Sequence, residues 1–188
     1  MNDVKKAVKK IENLLQEVSQ SFFKKGIYVD VKLDPNDLQK IWKYMRQIGI
    51  PVMPPQKAHI TVVYSYSKPN KEFKLKDING YVQPKAIRIF GKGTKDSPYA
   101  LVIEMESPEL QRLNKYYLKE YHLKPTYPEY RPHLTLTYDI ERVMPGLKKL
   151  SPKQKETIEN IFSKIIPELP KRLKIQSQSV HDLNTNWS

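Results

Sequence analysis

The chain has 188 residues, enough for one domain with a sizeable core and a tight fit for two. It has no cysteine, which excludes disulfides and thiolate metal sites and fits a reducing compartment. Its formal charge of +13, with lysines spread along the whole length, favours polyanions and anionic small molecules as partners, although a lysine-rich solvated surface accounts for the charge equally well.

No run of about 18 apolar residues is present to span a membrane, and lysines interrupt MNDVKKAVKKIENLLQEV where a secretory segment needs continuous apolar residues. The expectation is a cytoplasmic protein without a membrane partner. One domain is expected over 1–188, with 1–25 forming an N-terminal helix on Val4, Val8, Ile11, Leu15, Val18 and Phe22. That helix is read as a packing element. GIYVDVKL (26–33) alternates apolar and polar positions as a half-buried strand does, and Asp34-Pro35 opens a helix carrying Leu38, Ile41, Trp42, Met45 and Ile48. Prolines at 51, 54 and 55 stop it before a strand at 58–65.

A polar, turn-rich stretch follows over 68–79, then two strand patterns, 80–90 and 99–107, form a hairpin with a long connection. Ser107-Pro108 caps a helix using Leu110, Leu113, Tyr117 and Tyr121. A proline-rich approach leads to a strand at 133–138, Ser151-Pro152 starts a last helix with Ile158, Ile161, Phe162 and Ile165, and RLKIQSQSV (172–180) closes the chain as a strand. This order defines an α+β class with many antiparallel pairings.

Two of the four histidines stand in nearly the same phrase, HITVVY at 59–64 and HLTLTY at 133–138. Each phrase ends a strand-helix-strand unit, so an internal duplication is the economical account. Strand parity puts His59 and Thr61 on one face and Ile60 and Val62 on the other, and it groups His133 with Thr135 in the same way. Related by a pseudo-two-fold axis, the two pairs can face one groove. Two imidazoles there can exchange protons with an attacking and a leaving oxygen, while threonine hydroxyls donate to phosphate oxygens. A lone His-x-Thr is most often structural; two in matching contexts form a much rarer coincidence. No cofactor is called for, and no Asp/Glu/His grouping has metal-ligand spacing apart from the isolated His181-Asp182.

The two His-x-Thr motifs resemble those of the two-histidine (2H) phosphoesterases. That likeness implies a two-lobed fold of antiparallel sheets with pseudo-two-fold symmetry and outer helices. Within that superfamily the chain is most similar to the phage anti-CBASS nucleases of type one. The similarity rests on GIYVDVKL, the helix after it, the proline step before His59, Tyr64-Ser65 and LNTNW near the end, over about residues 26 to 187. It implies metal-independent cleavage of 3′–5′ bonds in cyclic di- and trinucleotides, in defiance of host CBASS immunity, with a ribose 2′-hydroxyl as nucleophile. One of His59 and His133 is then the base and the other the acid, and Thr61 and Thr135 hold the phosphate. Tyr28 and Phe90 match positions that hold the bases, the second standing where tryptophan is expected, and Gln178 stands where a glutamate is expected. An RNA 2′,3′-cyclic phosphodiesterase, and a binding protein that sequesters nucleotides, are the alternatives. RNA is a possible partner, and the oligomeric state cannot be read from the sequence.

Overall fold

The computed structural model describes residues 25–183 except 96, 144 and 146–148. The expected N-terminal helix and most of LNTNW therefore lie outside the described residues. Strand β1 (Ile27–Leu33) is followed by helix α1 (Pro35–Gln47). Gly26, with φ +137°, leads into β1, and a Cβ there would lie 2.2 Å from the Ser65 carbonyl oxygen, so the close approach requires glycine. Asp34 caps α1 by accepting from the Asn36 and Asp37 N–H groups, and Leu38, Ile41, Trp42 and Met45 form its buried face. Ile48, expected on that face, is 43% exposed: it is the C-cap, past the last helical turn, where the helical period no longer aims side chains inward.

Strands β2 (Ile60–Ser65), β3 (Tyr81–Phe90) and β4 (Ala100–Glu106) follow, then helix α2 (Pro108–Glu120), capped by the Ser107 side chain on the Leu110 N–H. Helix α2 buries Leu110, Leu113, Asn114 and Tyr117. Strand β5 (His133–Thr137), a one-turn helix α3 (Ile140–Val143) that the sequence pattern does not announce, helix α4 (Pro152–Ser163) and strand β6 (Leu173–Asp182) complete the order. Helix α4 has a full capping box at Ser151 and Gln154 and lies along β3, where Ser163 and Glu159 accept from the Ile87 and Ile89 N–H groups. Of its expected apolar positions, Ile158, Phe162 and Ile165 pack on the core, whereas Ile161 is 58% exposed. A narrow contact with one strand edge covers less of the helix than its apolar stripe anticipates.

The six strands of the described residues join into one closed, wholly antiparallel sheet in the order β1-β2-β5-β4-β3-β6. The order is symmetric. β6-β1-β2 and β3-β4-β5 are equivalent halves, and they meet at two short seams, Ile60 opposite Leu134 and Tyr81–Val82 opposite Lys174–Leu173. The expected α+β class with pseudo-two-fold lobes is thus realised as one continuous sheet. Trp42, Tyr117, Ile60 and Leu134 are among the largest fully buried side chains, so both crossover helices pack on the same core as the motif strands.

Candidate active site

The seam between β2 and β5 pairs Ile60 with Leu134, the middle residues of the two His-x-Thr motifs. Both are fully buried, so parity turns the flanking residues to the other face of the sheet. Antiparallel pairing about that point sets His59 across from Thr135 and Thr61 across from His133. The four side chains share one face around the local two-fold axis.

The duplication extends to a defect in the sheet. Between β1 and β2 the register slips so that Val62 has no partner, and between β4 and β5 it slips so that Leu136 has none. Each is the third residue after its histidine. Such bulges leave a backbone group unpaired and re-aim the strand. Each orphan carbonyl is satisfied from elsewhere: that of Val62 accepts from the buried Asn114 amide at 2.7 Å, and that of Leu136 from the Met53 N–H at 2.7 Å.

Both histidines are held alike. His59 Nδ1 lies 2.7 Å from the Lys57 carbonyl oxygen, and His133 Nδ1 lies 2.8 Å from that of Arg131. A carbonyl only accepts, so each Nδ1 is the protonated nitrogen and each neutral ring keeps its lone pair on Nε2. Burial holds both imidazoles below their usual pKa, against the opposing pull of those carbonyls, and the charge of His59 further disfavours a proton on His133. One proton shared between two such rings leaves one donor and one acceptor, the combination an acid–base pair needs near neutral pH. Tyr28 hydroxyl lies 3.1 Å from Thr61 Oγ1. Burial pushes the Tyr28 phenol up, so it stays protonated and is able to donate to Oγ1, an arrangement that frees the threonine hydroxyl hydrogen for a phosphate oxygen.

The other residues singled out in the sequence divide. Tyr28 meets His59 edge-on with ring centroids 5.8 Å apart, and Phe90 meets His133 with centroids 4.7 Å apart, so an aromatic ring flanks each histidine. Gln178 is elsewhere. It pairs with Val31 on the core face of β1, and its amide is engaged at both ends, accepting from the Tyr117 hydroxyl at 2.9 Å and donating to the Lys76 carbonyl at 2.6 Å. The structure does not bring it to the histidines. On β6 it has the opposite parity to Ser179 and His181, which pair with Asp30 and Tyr28.

Several groups at the site escaped sequence reasoning. Tyr130, on the proline-rich approach, donates its hydroxyl to the Thr61 carbonyl at 3.0 Å. Arg131 stacks over Phe90 at 5.1 Å and bonds Glu104 at 2.7 Å; Arg88 bonds the same carboxylate at 3.0 Å. Burial pushes the Glu104 carboxyl up, and the two guanidinium groups outweigh that and hold it below its usual pKa. Asp30 lies across from Thr61 and is 1% exposed, with His181 Nε2 at 3.6 Å. Its position two residues after Tyr28 in GIYVDVKL was the available signal, since parity puts the two on one face.

Two His-x-Thr strands, side by side about a two-fold axis in an antiparallel sheet with both Nε2 atoms available, define the two-histidine phosphoesterase class. Within it the chain belongs to the Anti-CBASS protein Acb1 family, whose model matches residues 25–188. The Anti-CBASS protein Acb1 of Vibrio phage KVP40 is 26% identical over 126 residues, covering 65% of this chain and 79% of that protein. The structure of Kluyveromyces marxianus Usb1 aligns with a TM-score of 0.47 at 10% identity, covering 85% of this chain and 93% of the other. Among the described residues no helix is long and apolar enough to cross a membrane.

Proposed function

We propose that the protein is a phosphodiesterase that cleaves 3′–5′ bonds of cyclic di- and trinucleotide signals without a metal ion, and thereby counters CBASS immunity in a host cell. One observation carries this reading: two histidines in the same tautomer, each beside a threonine, stand on one face about a two-fold axis. One Nε2 takes the proton of a ribose 2′-hydroxyl as its oxygen attacks phosphorus. The other Nε2–H protonates the departing 5′-oxygen. The products are a 2′,3′-cyclic phosphate end and a 5′-hydroxyl, and water can open the cyclic phosphate with the two roles exchanged. Thr61 and Thr135 donate to the non-bridging oxygens as charge gathers there. On this reading the threonine hydroxyls carry the charge stabilisation. Tyr28 and Phe90, each against one histidine, are suited to stacking on the bases that flank the scissile phosphate.

The test is incubation with cyclic di- and trinucleotides in the presence of a chelator, following linear products. Undiminished turnover is expected; loss on chelation overturns the metal-free chemistry. Tight binding without turnover would make the protein a nucleotide sponge instead. Cleavage confined to 2′,3′-cyclic phosphate ends of RNA would make it an RNA-processing enzyme, a reading the +13 charge favours.

Replacing Thr61 or Thr135 by valine keeps the side-chain shape and removes the hydroxyl. Each substitution is expected to lower kcat by about 10²- to 10³-fold with little change in KM, the cost of one donor to a developing oxyanion. Steady-state kinetics check this, and a loss confined to KM would assign the hydroxyl to ground-state binding instead.

A further inference from the structure

The two halves are equivalent in strand order, bulge position and histidine tautomer, yet they differ in charge. Across from Thr61 stands Asp30; across from Thr135 the equivalent residue is Val102. Asp30 is 1% exposed, and its Oδ1 is buried without a hydrogen-bond partner. The second half has its acidic residue at a different point, Glu104 across from His133, and both Arg88 and Arg131 neutralise it. The anion beside His133 is thus committed to guanidinium groups, whereas among the described residues Asp30 has no guanidinium partner and faces the His181 imidazole, 3.6 Å from its Oδ2. A buried carboxylate with an unpartnered oxygen is costly unless positive charge develops next to it.

Among the described residues, three charged or titratable groups act on His59 besides His133. Asp30 favours its protonation; Lys32, two residues along β1 from Asp30 and next to Val31, the partner of Ile60, and His181 on β6 oppose it. Lys32 Nζ is turned to the carbonyls of Gln56 and Ala58 at 3.3 and 3.1 Å. From β5 comes the second imidazole, that of His133, and the Tyr28 phenol, edge-on to His59, stays neutral. Asp30 stands across from Thr61 with its Oδ2 3.6 Å from His181 Nε2, and its charge pulls the pKa of both Tyr28 and His59 upward.

We propose that Asp30 is a positioning residue that places the shared proton on His59, making His59 the general acid and His133 the general base for cleavage. This rests on the phosphodiesterase reading above. His133 Nε2 takes the proton of the 2′-hydroxyl, the 2′-oxygen bonds to phosphorus, the bond from phosphorus to the 5′-oxygen breaks, and the electron pair left on that oxygen takes the proton from His59 Nε2. His133 then holds the proton and His59 the lone pair, so hydrolysis of the cyclic phosphate returns both to their starting states.

A substrate that needs no acid separates the roles. Uridine 3′-(p-nitrophenyl phosphate) keeps the 2′-hydroxyl nucleophile and expels a stable phenolate. His59→Ala is expected to lose about 10²- to 10⁴-fold on a cyclic dinucleotide and to stay within about tenfold of the parent on the aryl ester; His133→Ala loses heavily on both. The reverse pattern overturns the assignment while leaving the phosphodiesterase reading intact. A parent enzyme that cleaves neither substrate overturns both.

The isosteric Asp30→Asn variant reads the role of the carboxylate itself. In the profile of kcat/KM against pH, the acidic limb reports the base and the alkaline limb the acid. Loss of the Asp30 charge should move the alkaline limb to lower pH and leave the acidic limb in place. Movement of the acidic limb instead, or a uniform drop at every pH with neither limb moved, overturns the proposal.

Discussion

Replacing either histidine by alanine is expected to lower kcat on a cyclic dinucleotide by about 10²- to 10⁴-fold, the contribution of a positioned proton donor or acceptor. Neither ring can stand in for the other, because each Nδ1 is committed to a backbone carbonyl, at 2.7 Å for His59 and 2.8 Å for His133, so each ring presents a single nitrogen. The double variant should lose little beyond the worse single one, since groups that act as a unit are far from additive. Single-turnover rates measure this, with circular dichroism to establish folding. A single variant keeping more than about a tenth of the parent rate contradicts the pair.

Trp42→Ala is expected to have the largest effect on stability, about 3–5 kcal/mol. Trp42 is 1% exposed and among the largest fully buried side chains, so its removal leaves a cavity between α1 and the sheet. It also donates from Nε1 to the Met53 carbonyl at 2.6 Å, and the Met53 N–H satisfies the orphan carbonyl of the Leu136 bulge at 2.7 Å. One helix side chain therefore tethers the loop before the first motif to the bulge in the second. Trp42→Phe keeps most of the volume and removes the donor, and should cost less, about 1–3 kcal/mol. Urea unfolding separates the two variants: the midpoint should fall in that order with the slope unchanged. Equal losses would show that the hydrogen bond, and not the volume, dominates.

Much of the fold is legible in local chemistry. Asp34-Pro35, Ser107-Pro108 and Ser151-Pro152 start the three long helices of the described residues because a capping side chain and a proline in the first turn act within a few residues. The apolar alternation in GIYVDVKL and the two histidine phrases gives strands whose buried face is set by parity, so His59 with Thr61, and His133 with Thr135, are grouped from the sequence alone. The misses have a common cause. Ile48 and Ile161 continue an apolar period past or around the part of the helix that meets the core, and contact with a neighbouring element, not periodicity, decides burial. The face of Gln178 is likewise not legible in the sequence, because it is set by pairing with Val31 across the sheet.

The sequence by itself determined the strands and long helices of the described residues, the twofold repetition and which side chains share a strand face, because helix capping, turns and alternation are interactions between residues close along the chain. Only the tertiary structure decided that Ile60 pairs with Leu134, that both bulges find outside donors, and that Asp30 meets His181 while Val102 fills the equivalent place. Those facts depend on strand order and register, which are set by long-range packing. The difference in charge between two otherwise equivalent histidines becomes visible only once the strands are laid side by side.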